Sequence, residues 1–247
     1  MSQTVKSIDK LFDILECFLD GQDELTITEI RQKTSFPKST IFRLLATLED
    51  RNYIKKDSAT HRYSLGFKFF HLGSRVQNSL EVRKIALPEM QNLAQKTHET
   101  IGLNIVEGLG RICIEKIDSP HKVRNYVRLG SSNPLTKGAS GKLLLAFLPL
   151  ERQKEALDQL AGSPEERDSL EQEIEQIHQN GYSLTKEERI QGSFSISAPL
   201  YDYSNQVIAG LSIAGPTQRL TPDYQKDLVK FLRESANDIS EQLGYRP

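Results

Sequence analysis

The 247-residue sequence has no tryptophan, two methionines and two cysteines. Cys17 and Cys113 lie far apart, each inside an apolar pattern, which excludes a disulfide framework and a cysteine-rich zinc site. The five histidines, His61, His71, His98, His121 and His178, fall at no metal-ligand spacing, so no metal is expected. No run of about 18 apolar residues occurs, which excludes a membrane-spanning helix. The opening Met-Ser-Gln-Thr leads into a helical pattern with many acids and lacks the form of a secretory signal. A reducing cytoplasm is the expected compartment. Low-complexity segments are missing too, and the 37% hydrophobic and 26% charged residues are those of a globular chain long enough for one small and one medium domain.

Charge of one sign is also lacking, since the net charge is −1, but that average hides a local asymmetry. Residues 36–75 carry eight lysines and arginines against three acids, while residues 1–35 carry four against seven. The basic stretch is where nucleic acid would bind. Around it, Ile8, Leu11, Phe12, Leu15, Phe18 and Leu19 form the apolar stripe of a first helix, ended by Gly21. Thr26-Ile27-Thr28-Glu29 is a capping box that starts a second, short helix. Ser35-Phe36-Pro37 breaks the chain, and Pro37 suits the first turn of a third helix reaching about Arg51. Ile41, Leu44, Leu45 and Leu48 face the core at helical spacing, so Ser39, Arg43 and Ala46 point away, flanked by Lys38, Thr40, Phe42 and Thr47. Arginine pairs bidentately with guanine, and small hydroxyls and lysine hold phosphates, a set suited to a helix in a major groove. The runs Tyr53–Asp57 and His61–Leu65 alternate around a polar turn and read as a β-hairpin. Lys55, Lys56, His61 and Arg62 on this wing are candidates for phosphate or minor-groove contacts. A three-helix protein-docking module has the same outline, but cations on both helix and hairpin favour DNA.

Phe67, Phe69, Phe70, Leu72 and Val76 follow as a helix with a large apolar face, serving either packing within the monomer or a dimer contact. The remainder reads as α+β. A helix through Ile85, Leu87, Met90, Leu93 and Ala94 precedes a hairpin of Ile101–Glu107 and Arg111–Asp118, and Val123–Leu129 reads as a third strand. Gly138–Leu148 is a glycine-led apolar helix, and Ser163-Pro164-Glu165-Glu166 starts a helix that runs to Asn180-Gly181. Strands return at Tyr182–Glu187, Ser193–Leu200 and Val207–Ala214 before a last helix capped by Thr221-Pro222. This order implies a mostly antiparallel sheet. Gly138-Ala139-Ser140-Gly141-Lys142 is no P-loop, because Leu143 stands where a Ser/Thr would hold magnesium, and no nucleophile elbow, because Lys142 replaces the final glycine. No cofactor and no catalytic residue are expected. A glycine turn feeding a helix offers amide donors to an anion, yet it also serves as a plain tight turn.

Ser7-Ile8-Asp9-Lys10, Phe36–Leu48 and Tyr63-Ser64-Leu65-Gly66 resemble the IclR family of bacterial regulators. So do Leu129-Gly130, Pro134-Leu135-Thr136, Gly138–Ala146, Gly181-Tyr182-Ser183, Glu187-Glu188, Gly192, Ala198-Pro199 and Leu211–Pro216. The resemblance implies a winged helix-turn-helix DNA-binding domain over 1–66, a linker helix over 67–80 and a GAF-like effector domain over 81–247. It also implies a homodimer or tetramer on a double-stranded DNA operator, controlled by a small organic-acid effector. Carried over position by position, the backbone at Ala139 and Ser140 would hold an anionic end, and Thr185, Ser195 and Ser212 would bond the ligand beside Ala214. The family often has an acid at the place of Thr185 and a serine at that of Ala214, so this pocket is less acidic and slightly less polar, and a sugar acid is the expected effector. A repressor of a catabolic operon is the leading expectation, with an activator as the alternative.

Overall fold

The computed structural model describes residues 5–19, 21–79 and 81–246. The chain divides into two compact units, Met1–Ser79 and Leu80–Pro247.

The first unit runs α1 (Lys6–Glu16), β1 (Glu24–Leu25), α2 (Ile27–Thr34), α3 (Lys38–Asp50), β2 (Ile54–Lys56), β3 (Tyr63–Leu65) and α4 (Phe67–Ser79). The capping box forms as its sequence dictates: the Thr26 amide donates to Glu29 Oε2 at 2.6 Å and the Glu29 amide to Thr26 Oγ1 at 3.2 Å. Pro37 is the N-cap of α3 rather than its first helical residue, and its carbonyl accepts from the Thr40 and Ile41 amides. Ile14, Leu25, Ile30, Ile41, Leu45, Leu48, Ile54 and Tyr63 form the core, with Leu44 packed partly buried against it. The expected stripe of α1 splits. Ile14, Cys17 and Phe18 are buried, whereas Ile8, Phe12 and Leu19 are 48%, 55% and 76% exposed. The apolar residues of α1 cover more of its circumference than one small core can take. The two-residue β1 adds an unexpected third strand, giving the order β1-β3-β2. Phe67, Phe70 and Leu72 of α4 are exposed, and the side chain of Val76 lies outside the described residues.

The second unit starts with α5 (Glu81–Thr97), β4 (Thr100–Glu107), β5 (Gly110–Ile117), β6 (Ser132–Pro134), α6 (Ala139–Ala146) and α7 (Leu150–Leu160). It continues with α8 (Pro164–Asn180), β7 (Ser183–Lys186), β8 (Ser193–Tyr201), β9 (Val207–Pro216), a short 3-10 turn and α9 (Pro222–Gln242). The six strands lie in the order β6-β5-β4-β9-β8-β7 and every pair is antiparallel. One face packs Ile101, Leu103, Phe194, Ile196, Leu211 and Ile213 against α5 and α9. Leu143 and Leu145 of α6 join α7 and α8 in a separate core. Residues 123–129 form no strand, contrary to their alternation. β6 takes the outer edge of β5 only along Gly110–Ile112, and the preceding segment meets that edge through the single Gly130 amide to Cys113 carbonyl bond rather than as a ladder. Helix α7, which sequence reasoning missed, follows Pro149 as its N-cap.

Candidate nucleic-acid interface and effector cavity

In the first unit, α3 turns Lys38, Ser39 and Arg43 to solvent, with Thr40 half-buried beside them. Among the described residues none of Lys38, Arg43 or Lys55 has a carboxylate within ion-pair distance. The hairpin presents Lys55, Lys56 and His61. Its turn is built by Asp57, whose Oδ1 accepts from the Ala59 and Thr60 amides at 2.7 and 3.0 Å. Those amides hold the Asp57 carboxyl below its usual range. Arg62 is turned differently. Its guanidinium donates to the Glu24 carbonyl at 3.2 Å and meets Glu29 at 3.5 Å, bracing the hairpin against α2. Lys6 and Lys10 of α1 line a groove with Thr40, Arg43 and Thr47. Sequence reasoning passed over these two lysines, although their i, i+4 spacing puts both on one side of α1.

In the second unit, the sheet face turned away from α5 and α9 carries small polar residues. The register sets Thr185 opposite Ser195, Ser195 opposite Ala214 and Ala214 opposite Thr100, a row across four strands. The next row sets Ser197 against Ser212 and Ser212 against Gly102. A cavity opens on this face, and all six residues expected around an effector (Ala139, Ser140, Thr185, Ser195, Ser212 and Ala214) line it. Its open volume of about 40 Å³ is small, roughly three waters' worth. Gly138 permits the approach of α6: it has φ 76°, a left-handed conformation that costs glycine little. The Ala139 amide that follows donates to Thr185 Oγ1 at 3.1 Å.

The cavity holds groups that sequence reasoning missed. Asn104 Nδ2 donates to Ser212 Oγ at 3.1 Å, and Ser212 Oγ donates to the Gly102 carbonyl at 3.1 Å. Arg111 Nη1 donates to Asn104 Oδ1 at 2.7 Å. Arg111 is only 5% exposed, and its Nε has no hydrogen-bond partner among the described residues. Burial, with a smaller push from Arg189, lowers its pKa to about 10, so it stays cationic at neutral pH. Glu188 also lines the cavity but is bound to Lys142 Nζ at 2.9 Å, which bonds Glu173 at 2.6 Å as well. The Lys142 side chain is thus a buried strut between α8 and the β7–β8 loop, not a ligand donor. Among the described residues no group of histidine, cysteine, aspartate and glutamate forms a metal site, and no helix is long and apolar enough to cross a membrane.

Residues 7–58 match the IclR helix-turn-helix domain, and residues 74–241 match the profile described as bacterial transcriptional regulator IclR C-terminal. The chain is 36% identical to the HTH-type transcriptional regulator KdgR of Dickeya chrysanthemi over 98% of its own length and 81% of that protein. It is 34% identical to the HTH-type transcriptional regulator KipR of Bacillus subtilis over 99% of its own length and all of that protein. A solved IclR-type regulator from Alicyclobacillus acidocaldarius superposes with a TM-score of 0.84 at 25% identity, covering 98% of this chain and 100% of that one.

Proposed function

The chain belongs to the IclR family of bacterial transcriptional regulators and is a DNA-binding regulator of transcription; from that premise we propose a repressor of a catabolic operon, released from a palindromic operator by a small organic or sugar acid. The observation that carries the effector half is the cavity. Its lining gathers hydroxyls from four strands, the first turn of α6 and a cation without a carboxylate partner, a set that recognises an acid bearing hydroxyl or oxo groups.

In this reading α3 enters the major groove with Lys38, Ser39, Thr40 and Arg43, and the wing sets Lys55, Lys56 and His61 on the phosphates or in the adjacent minor groove. Arg62 supports the wing from behind. A palindromic operator needs two recognition helices in register, and the exposed Ile8, Phe12, Phe67 and Phe70 supply apolar area for a homodimer. The acid acts only through its difference in affinity between DNA-competent and incompetent states.

Selection of bound DNA from a random pool, repeated with a panel of small acids, tests both halves. A palindromic consensus depleted by one acid is the expected result. Enrichment of the consensus by the acid would indicate an activator, and no consensus at all would end the reading.

A further inference from the structure

Two guanidinium groups at this cavity, buried Arg111 and Arg189 at its exposed rim, have no carboxylate partner among the described residues. Arg111 rises from β5 and bonds only a neutral amide, Asn104, leaving its Nε unsatisfied among the described residues. Arg189, on the loop between β7 and β8, donates Nη1 to Asn133 Oδ1 at 2.8 Å, again a neutral partner. Its stem passes the start of α6, with Cδ 4.0 Å from the place a Cβ would take on Gly138. Both arginines also line an outer recess with Arg128, Ser131 and Ser132, where no lining residue is acidic. They therefore form the wall between an inner cavity and an outer basic recess. Glu187 and Glu188 line the inner cavity too, but among the described residues neither is ion-paired to these arginines: Glu187 accepts from the Thr217 hydroxyl and Glu188 is held by Lys142.

A buried cation whose proton affinity is lowered first by burial and then by a second cation beside it makes an arrangement that a fold tolerates at a cost and that an incoming anion relieves. The first turn of α6 accounts for one anionic group, since the Ala139 amide is held by Thr185 while the Ser140 amide has no acceptor among the described residues. That leaves both guanidiniums uncompensated.

We propose that Arg111 and Arg189 form an anion clamp, and that the acid taken by this cavity carries a second negatively charged group, either a carboxylate or a phosphate, bound between them. This inference rests on the effector reading above and narrows it to doubly charged small acids. Arg111 is its specificity-determining residue and Arg189 its gate to the outer recess.

The test is calorimetric titration of the full chain with matched pairs that differ only in the second charge. The pairs are 2-oxoglutarate against 2-oxopentanoate and 6-phosphogluconate against gluconate, so that the carboxylate and phosphate arms are read separately. In at least one pair the doubly charged member binds about tenfold tighter or better. Arg111→Gln and Arg189→Gln each remove most of that advantage while changing the singly charged member's affinity by less than about threefold. Exposed Lys154 on α7 loses the same charge in Lys154→Gln and leaves the advantage intact. Because Arg111→Gln strips Asn104 of its donor and threatens the fold, Arg189→Gln at the open rim carries the result independently. Equal or tighter binding of both singly charged members overturns the clamp but leaves the effector reading standing. Failure of every acid, in titration and in operator release alike, overturns both.

Discussion

At Gly141 an added methyl would sit 2.8 Å from the Leu135 carbonyl oxygen and 2.9 Å from that of Pro134. Both are backbone atoms, which cannot swing aside. Gly141→Ala should therefore cost about 1–3 kcal/mol, read as a lowered denaturation midpoint of the second unit. An unchanged midpoint would show that α6 is not seated against this segment. Arg43 is the contrasting case, an exposed cation with nothing to lose in the fold. Arg43→Ala should weaken the operator complex by about 1–3 kcal/mol and relax base preference, whereas Lys55→Ala should weaken all sequences alike and flatten the salt dependence. Unchanged operator affinity on losing Arg43 would mean that α3 is turned otherwise. The six expected cavity residues could be placed together only through the family resemblance, with which the alternation of small polar and large apolar positions in Ser193–Ser197 and Leu211–Ala214 agrees. Arg111 was illegible: in the alternating β5 an arginine reads as solvent-facing, whereas this one turns into the cavity onto Asn104 and is buried.

Among the elements, α2 depends on its cap. Thr26→Ala should cost about 1 kcal/mol of stability in the first unit, measured by chemical denaturation. The Thr26 backbone amide, then its hydroxyl and then Arg62, hold the Glu29 carboxyl below its ordinary value. The ionised form is thus favoured on folding. Its contribution is complete above the ordinary carboxylate range and fades as pH falls through the lowered value. Glu29→Gln should accordingly lose its penalty relative to wild type on acidification; a penalty constant with pH would place the effect outside the carboxylate. The capping box, the recognition helix and both long hairpin strands were legible because local hydrogen bonds and periodicity fix them. Residues 123–129 and α7 were not. The former alternate like a strand but form no ladder with β5, and local alternation carries no information on that pairing. The latter buries only Ala156 and Leu157, a stripe too narrow to stand out among its charges.

For the molecule as a whole, the apolar surface left on α1 and α4 is large for a lone monomer. Phe12→Glu, at a site 55% exposed, should leave the first unit folded, shift sedimentation toward the monomer and cut operator affinity, since two weakly held half-sites replace one joined pair. A monomeric wild type in the same sedimentation run would remove the reason for that surface. The segment bordering the cavity bears on time rather than affinity. Thr100 Oγ1 donates to the Asn125 carbonyl, and the Gly130 amide donates to the Cys113 carbonyl. Between these two anchors Tyr126–Leu129 belongs to no strand. In the proposed reading, a guest admitted past this stretch would unzip no rung of the ladder, which would leave the speed at which the switch resets uncoupled from how hard the domain is to melt.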